Sequence, residues 1–320
     1  MKAITQDAYG TTETLSYSDV PMPVAGSGEV VIRIKAAGVD PSAWHLMTGL
    51  PLVGRLALGL RRPKIRIRGW DAAGVVDSVG AGVTRFAPGD EVFGTVPGSF
   101  AEFACAAPDR LQHKPVGLTF EQAAALPTSG MTALAGLRDA GHIQPGQQVL
   151  IIGAGGGVGH LAVQIARHFG AHVTGVCSGS KTAMVQALGA DRVIDYTRET
   201  ITGSYDLILD MAGNRPLSEV RALLTPTGTL VLGGGENGGR WMGGTDRSLR
   251  ATVLSPFTRH RLRALLVLPK PETLTAVAEL AASGALVPTL DRTFALPDTP
   301  AAIDYLATHH PAGKVVIAVA

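Results

Sequence analysis

A glycine-rich run in the middle of the chain carries the clearest chemical signal. Residues 153–159, GAGGGVG, follow an apolar stretch at 148–152 that predicts a buried strand, and they precede a helical pattern. Missing side chains at such a junction let backbone N–H groups approach a pyrophosphate at a helix N-terminus. Gly156 and Gly159 fit the second and third glycines of a dinucleotide-binding fingerprint, and Ala154 stands where the first is usual. The alternative is a plain tight turn between strand and helix.

The choice of dinucleotide depends on the end of the next strand, about 20 residues further on. An acid there would hydrogen-bond the ribose 2′-hydroxyl of NAD, but residues 177–181 are CSGSK, and no Asp or Glu follows before Asp191. A hydroxyl and an ammonium suit a 2′-phosphate. Ser178 and Lys181 therefore predict NADPH as the cofactor. Lys181 could instead be an ordinary solvated surface lysine.

Several motifs resemble those of quinone-oxidoreductase-type, zinc-independent members of the medium-chain dehydrogenase/reductase superfamily. Besides the fingerprint, they lie at 36–41, 69–76, 88–94, 98–102, 129–133, 188–191 and 195–196. The resemblance covers essentially the whole chain and is specific for the superfamily, but much less so for the substrate. It implies an α/β fold in which a Rossmann domain, a doubly wound parallel sheet, is inserted in a GroES-like, mainly antiparallel β catalytic domain. The active site is then expected in the cleft between the two domains.

The resemblance also implies roles for individual cofactor-binding residues. Those expected at the 2′-phosphate are Ser178, Lys181 and Tyr196, those at the pyrophosphate are Gly157 and Val158, and those near the nicotinamide are Thr132, Leu232 and Gly233. Tyr196 could instead be an ordinary aromatic residue at a strand end. The glycine-rich stretch at 233–239 is expected to be a mobile loop over the nicotinamide, or a flexible segment without a function.

A catalytic zinc is not expected. Zinc-dependent relatives carry a cysteine where this chain has Asp40, and Gly-His-Glu where it has residues 69–71, GWD. Asp40, His45 and Asp71 could be assembled as ligands, but these residue types fit a catalytic zinc poorly. Reduction of an already polarised acceptor needs a Lewis acid less than alcohol oxidation does.

Two neighbouring residues are the candidates for catalysis. His45 falls where several relatives carry a pocket tyrosine, so its imidazole could donate a proton or a hydrogen bond to a developing enolate oxygen. Trp44 and His45 could equally do no more than shape the pocket wall. Asp40 and Asp71 are expected to hydrogen-bond backbone turns rather than to transfer protons.

The elements that position these residues follow from the hydrophobic pattern. Short strands broken by Gly and Pro up to about residue 120 predict a barrel-like antiparallel domain. Thr119 and Gln122 form a predicted capping box, and from there strands alternate with helices, which is typical of a doubly wound parallel sheet. The predicted domains are 1–121 with 266–320, and 122–265. Strands are predicted at 148–152, 172–177, 207–210, 229–232 and 314–319, and helices at 161–169, 271–282 and 300–308.

Composition limits the partners. The 320 residues are 46% hydrophobic and 17% charged with a net charge of +2, which predicts two packed domains and neither nucleic acid nor membrane as the main partner. Two distant cysteines exclude a disulfide framework and a four-cysteine zinc lobe. The start of the chain lacks a signal-peptide pattern and no apolar run is long enough to span a bilayer, so a cytoplasmic protein is expected.

Two further segments bear on association. An edge strand at 229–232 is expected to pair across a two-fold axis, which predicts a homodimer. The apolar stretch 50–60 predicts a helix near the substrate cleft. The basic run that follows it, Arg61 to Arg68, could attract an anionic substrate such as an acyl-CoA or could simply face water.

The sequence as a whole predicts an NADPH-dependent oxidoreductase that transfers hydride to a quinone or an α,β-unsaturated carbonyl compound without zinc. An enoyl-thioester or carbonyl reductase of a biosynthetic pathway is the alternative within enzymes. A non-catalytic NADPH-sensing or nucleic-acid-associating protein with the same fold is the alternative outside them.

Overall fold

The computed structural model describes residues 1–234, 239–243 and 245–320, which form two compact units. The first unit combines Met1–Met131 with Pro269–Ala320, and the second is Thr132–Leu268. The division falls at 131/132 and 268/269, whereas the hydrophobic pattern suggested 121/122 and 265/266. The helix that follows Thr119 packs on strands of the first unit, so the chain leaves that unit later than its change of pattern indicates.

The described strands, in chain order, are β1 (Lys2–Gln6), β2 (Leu15–Asp19), β3 (Val30–Val39), β4 (Asp71–Val79), β5 (Glu91–Thr95), β6 (Phe103–Ala106), β7 (Leu111–His113), β8 (Gln148–Ile152), β9 (His172–Cys177), β10 (Arg192–Asp195), β11 (Tyr205–Asp210), β12 (Leu224–Leu232), β13 (Arg261–Ala264), β14 (Leu290–Ala295) and β15 (Lys314–Ala318). The described α-helices are α1 (Pro41–Thr48), α2 (Arg55–Leu58), α3 (Phe120–Ala124), α4 (Pro127–Leu134), α5 (Gly159–His168), α6 (Thr182–Ala187), α7 (Leu217–Ala222), α8 (Thr245–Leu254), α9 (Pro271–Ala282) and α10 (Thr299–His309).

The first unit is built on a mainly antiparallel sheet in the order β14-β15-β3-β4-β5-β7, with β6 paired to β3. β3 is almost wholly buried because strands flank it and the core covers it, and Ile32 and Ile34 are at most 1% exposed. β15 pairs antiparallel with β3, so the end of the chain rejoins the first unit as the sequence predicted. The predicted capping box is present, with the Thr119 hydroxyl accepting from the Gln122 N–H.

The second unit is a parallel sheet in the order β10-β9-β8-β11-β12-β13. β8 lies between β9 and β11, and its residues from Val149 to Ile152 are buried, which explains the continuous apolar run. Strands 148–152 and 172–177 have the predicted limits. Within the described residues, no helix combines the length and the apolar composition that crossing a bilayer requires.

Two sequence expectations fail in these units. The strand containing 229–232 is not at an edge, because β13 pairs with it in register from Thr229 to Leu232. β13, RLRA, buries only Leu262 and exposes its arginines, so its sequence lacks the apolar run of the inner strands. The apolar stretch 50–60 forms only a 3₁₀ turn and the four-residue α2, because Pro51 and the glycines at 54 and 59 interrupt it.

Candidate cofactor and active site

The fingerprint loop leaves β8 at the carboxyl edge of the parallel sheet. The N–H groups of Gly153 and Ala154 donate to the carbonyl of Val176 at 3.0 and 2.9 Å, which ties the loop to β9. A Cβ on Gly159 would lie 2.7 Å from the carbonyl carbon of Gly153 and 2.8 Å from Cα of Ala154. Only glycine therefore lets α5 begin this close to the loop.

Gly156 has the opposite surroundings. A Cβ there would meet only the carbonyl oxygen of Gly153, at 3.4 Å, so the space beside Gly156 is open. Gly156 and Gly157 lead into α5, whose N-cap is Val158, and the first N–H groups of a helix have no partner within it. The cradle has the shape and the donors that a pyrophosphate requires, so these residues fit a dinucleotide.

His160 on α5 hydrogen-bonds this loop, and no sequence signal indicated that role. The imidazole is fully buried on α5, and its Nδ1 lies 2.9 Å from the carbonyl oxygen of Gly156. A carbonyl can only accept, so Nδ1 carries the hydrogen and donates it. His160 thereby fixes the orientation of the Gly156 peptide.

The three residues expected at a 2′-phosphate lie at the same sheet edge, after β9 and β10. A Cβ on Gly155 would lie 2.6 Å from Cδ of Lys181, so the Lys181 side chain crosses the fingerprint loop. Ser178 follows β9, and its Oγ lies 3.4 Å from Oγ of Ser180. Tyr196 follows β10; its N–H donates to the carbonyl of Cys177 and its side chain is half exposed.

A carboxylate that the sequence reasoning missed also reaches this edge. Asp195 ends β10 opposite Cys177, and a Cβ on Gly179 would lie 2.5 Å from its Oδ2. Asp195 accepts from the hydroxyl and the N–H of Thr197 at 2.7 and 3.0 Å, and these hydrogen bonds lower its pKa. The Nε of Arg198 lies 3.6 Å from the Oδ2 of Asp195. The sequence pattern concerned an acid at the end of β9, whereas Asp195 comes from the neighbouring strand β10.

Two residues expected near the nicotinamide lie at the same sheet edge: Leu232 ends β12, and Gly233 follows it. The Gly233 N–H donates to the carbonyl of Asp210 at 2.9 Å. Thr132 lies in α4, at the start of the second unit. Residues 235–238 of the predicted loop at 233–239 lie outside the described residues.

An ion pair between a buried aspartate and a partly buried arginine, which the sequence did not predict, lies beside Gly233. Asp210 is fully buried at the end of β11, and its Oδ2 lies 2.7 Å from Nη2 of Arg247. The other oxygen accepts from the N–H groups of Ala212 and Gly213 at 3.1 and 3.0 Å. This pair fixes the chain after β11 at the edge where the cofactor residues gather.

The candidate catalytic residues lie on α1 of the first unit. Asp40 caps this helix, accepting from the Ser42 N–H at 2.8 Å and from the Ser42 hydroxyl. Trp44 packs against the buried core of the unit. Nδ1 of His45 lies 2.9 Å from the carbonyl oxygen of Leu50 and must donate to it. Neutral His45 therefore presents Nε2 as an acceptor, and only protonated His45 can donate from Nε2.

Asp71 belongs to a buried polar cluster in the first unit. It is fully buried at the start of β4 and accepts from the Thr128 hydroxyl at 2.6 Å and the Thr128 N–H at 2.9 Å. Nζ of buried Lys314 donates to Oγ of Ser129 at 2.9 Å. Burial and the nearby Asp40 raise the pKa of Asp71 to about 7, against the opposing charge of Lys314. Asp40 therefore hydrogen-bonds the first turn of α1 as predicted, and Asp71 hydrogen-bonds the first turn of α4.

These contacts do not fit a catalytic zinc. Asp71 is committed to Thr128, the Nδ1 of His45 to Leu50, and one oxygen of Asp40 to Ser42. Catalytic zinc takes three protein ligands together with an open position. In the described part of the chain, no group of three His, Cys, Asp or Glu side chains could hold a metal ion.

Comparison with known proteins defines the class. The model of the alcohol dehydrogenase GroES-like domain matches residues 26–135, and that of the zinc-binding dehydrogenase matches residues 188–317. The chain is 32% identical to the mitochondrial NAD(P)H oxidoreductase RTN4IP1 of Mus musculus, over 99% of this chain and 89% of that protein. It is 31% identical to the 2-methylene-furan-3-one reductase of Solanum lycopersicum, over 99% of this chain and 79% of that protein.

A solved structure agrees with both sequence matches. The quinone oxidoreductase from Coxiella burnetii superposes with a TM-score of 0.84 at 31% identity, covering 100% of this chain and 99% of that one. The chain therefore belongs to the medium-chain dehydrogenase/reductase superfamily, with a GroES-like and a Rossmann-like domain. It is an oxidoreductase of the quinone-oxidoreductase type that uses a nicotinamide cofactor.

Proposed function

We propose that the protein reduces a quinone or an α,β-unsaturated carbonyl compound with NADPH and without zinc. The observation that carries the proposal is the fingerprint loop, in which the space beside Gly156 is open and the side chain of Lys181 lies against Gly155. When bound, NADPH supplies the hydride. The chain's own residues bind the cofactor, orient it and handle the proton that completes the reduction.

The cofactor preference rests on charge. Lys181 brings an ammonium to the end of β9, and Ser178 and Tyr196 bring hydroxyls, a set that suits a 2′-phosphate. Asp195 is the opposing feature, because a carboxylate repels a phosphate and suits the ribose 2′-hydroxyl of NADH. Its Oδ1 already accepts both hydrogen bonds from Thr197, and its Oδ2 faces Arg198, so we infer that Lys181 decides the preference.

The proton is assigned to His45. Its Nδ1 is held by the Leu50 carbonyl, which fixes the ring and leaves Nε2 as the group that can act. Protonated His45 would donate from Nε2 to the oxygen of the acceptor as negative charge develops there. Trp44 is expected to shape the pocket wall. With Asp71 and Asp40 committed to turns, no step in this scheme needs a metal.

The acceptor class follows from the relatives. One is named a quinone oxidoreductase and another a reductase of 2-methylene-furan-3-one, and both names describe conjugated carbonyl compounds. Such acceptors are polarised before they bind, so a hydride donor and one proton donor suffice. A cytoplasmic location stays a prediction from the sequence.

Cofactor titration tests the proposal. NADPH and NADH are titrated into the wild type, Lys181→Ala and Asp195→Asn, with binding followed by fluorescence. We expect the wild type to prefer NADPH, Lys181→Ala to lose that preference, and Asp195→Asn to strengthen it. Tighter binding of NADH by the wild type, abolished in Asp195→Asn, would mean that Asp195 selects NADH. If neither nucleotide binds, the proposed function is wrong.

We also infer a homodimer, formed through β13 rather than through the strand at 229–232. β13 is the outer strand of the six-stranded sheet among the described residues, so one of its edges is open for pairing. Sedimentation should give twice the monomer mass. The Leu265 N–H donates to the Leu232 carbonyl, so the N–H of Ala264 faces the outer edge, and Ala264→Pro should give the monomer because proline removes that N–H. A wild-type monomer at micromolar concentration would contradict this.

A further inference from the structure

A segment of the first unit concentrates positive charge that the net charge of the whole chain conceals. Between Asp40 and Asp71 there is no Asp or Glu, and the Lys and Arg residues in that interval are Arg55, Arg61, Arg62, Lys64, Arg66 and Arg68. Arg66 pairs with Asp7 and Arg68 is buried. Arg61, Arg62 and Lys64 are exposed, and no ion pair of the described residues includes them.

The same segment exposes large apolar side chains. Leu56 is 73% and Leu60 68% exposed, and Val53 and Ile65 are about half exposed. We call the exposed side chains of residues 53–65 the basic apolar patch. Exposed leucines beside exposed cations are the composition of surfaces that lie in the headgroup region of a membrane.

The patch is held in a defined shape. Arg55 points inward: its Nε donates to the Gly49 carbonyl at 3.0 Å and its Nη2 to the Thr48 carbonyl at 3.1 Å. Its guanidinium lies 4.4 Å from the centre of the Tyr9 ring, and the Tyr9 hydroxyl donates to the Gly59 carbonyl at 2.8 Å. These contacts fix the backbone of the segment while Leu56 and Leu60 stay exposed.

The turn between the leucines and the cations is fixed as well. The Lys64 N–H donates to the Leu58 carbonyl at 2.9 Å, which closes the loop. Gly59 has φ 118°, and a Cβ there would lie 3.3 Å from the Lys64 nitrogen. The exposed leucines and cations thus belong to one closed segment of backbone, which does not carry the ordering cost of a flexible segment.

We propose that the basic apolar patch docks the protein onto an anionic phospholipid surface. The cations meet lipid headgroups, and Leu56 and Leu60 enter the boundary with the acyl chains. A nucleic acid would match the cations but would leave the leucines without partners, since nucleic-acid sites use aromatic side chains for stacking.

The proposed function supplies a purpose for this docking. Conjugated carbonyl acceptors that are apolar collect in bilayers, and Arg55 links the patch to the C-terminal turn of α1, the helix that carries His45. The purpose rests on the proposed function, whereas the docking itself is measured without turnover. Overall charge predicted no membrane partner because acids elsewhere in the chain balance the patch.

Vesicle binding tests the proposal. The wild type is mixed with vesicles of phosphatidylcholine alone or with about 30% phosphatidylglycerol, at low and high salt, and the bound fraction is measured by flotation. We expect binding to the anionic vesicles only, and its loss at high salt because the cations are exposed. Replacing Arg61, Arg62 and Lys64 together by Gln should weaken binding about a hundredfold, roughly fivefold for each cation. Leu56→Ser with Leu60→Ser should weaken it at least about tenfold.

Matched control variants distinguish an effect of the basic apolar patch from a general effect of surface charge or surface hydrophobicity. Leu249→Ser with Val253→Ser alters α8 residues that are 58% and 61% exposed, and Arg192→Gln with Arg250→Gln removes two exposed cations of the second unit. Both controls should bind vesicles like the wild type. All variants should keep the wild-type melting temperature and should reduce a water-soluble quinone as well as the wild type does.

Three outcomes would overturn docking. The wild type could fail to bind anionic vesicles at low salt. Binding could be equal on neutral vesicles and insensitive to the triple substitution. A polynucleotide could bind as tightly as the vesicles while Leu56→Ser with Leu60→Ser has no effect, which would make the patch a polyanion site. Vesicle binding without any NADPH turnover would instead support docking and refute the proposed function.

Discussion

Gly156 and Gly159 allow folding and cofactor binding to be separated by two single substitutions of the same kind. In Gly159→Ala the new Cβ would meet backbone atoms of Gly153 and Ala154 at 2.7 and 2.8 Å, and backbone cannot move aside as a flexible side chain can. Overpacking of this kind costs about 1–3 kcal/mol. At about 4 °C per kcal/mol for a domain of this size, the melting temperature should fall by roughly 4–12 °C.

Gly156→Ala should leave the fold intact. Its Cβ would meet only the Gly153 carbonyl oxygen, at 3.4 Å, and Gly156 does not have a positive φ. Its melting temperature should equal or slightly exceed that of the wild type, because alanine restricts the unfolded chain. The methyl group would occupy the cradle, however, and loss of one charge-assisted hydrogen bond to the pyrophosphate should weaken NADPH binding about 10–100-fold.

The assay is thermal unfolding of both variants without cofactor, followed by NADPH titration at a temperature where both are folded. If Gly156→Ala binds NADPH like the wild type, the pyrophosphate does not approach this loop. If Gly159→Ala melts with the wild type, the close approach of α5 to the loop does not constrain the fold.

Three further predictions concern buried or held side chains. The pKa of Asp71 is raised in the folded protein to about 7 from 3.8, so its contribution to stability is present below about pH 4 and is lost as the pH rises through 7. The melting temperature of Asp71→Asn should therefore fall less than that of the wild type between pH 5 and 8, and equal slopes would refute the assignment. Arg247→Met should lower the free energy of unfolding, measured in urea, by about 3–5 kcal/mol because it leaves the charge of Asp210 buried and uncompensated. The double variant Arg247→Met with Asp210→Asn should recover part of that loss. No recovery would mean that the two side chains are not coupled. His45→Gln should lower kcat about 10²–10⁴-fold with an unchanged Kd for NADPH, and wild-type turnover would remove His45 from the mechanism.

Local pattern was enough to predict the central part of the second unit. β8, the fingerprint loop and α5 are contiguous in the chain, and the buried strand, the glycines and the helix each leave a signature within a few residues. The capping box of Thr119 and Gln122 is equally local. The class of protein followed from such motifs because each encodes one turn or one close approach of the backbone.

Two features that the sequence did not reveal depend on partners far along the chain. β13 was missed because an edge strand with one buried leucine has no distinctive pattern, and only its pairing with β12 identifies it. Asp195 was overlooked as a neighbour of Gly179 because parallel pairing, not sequence spacing, brings the end of β10 beside the end of β9.

The polar cluster of the first unit and the basic apolar patch depend on tertiary packing in the same way. Asp71 meets Thr128 across 57 residues and Lys314 meets Ser129 across 185, so no local window contains either contact. Whether Leu56 and Leu60 are covered or exposed is likewise set by how Arg55 and Tyr9 hold the segment. Residue types and short spacings therefore determined which chemistry this chain can perform. Packing decided which groups are buried, paired or exposed, because burial and charge pairing depend on distance in space.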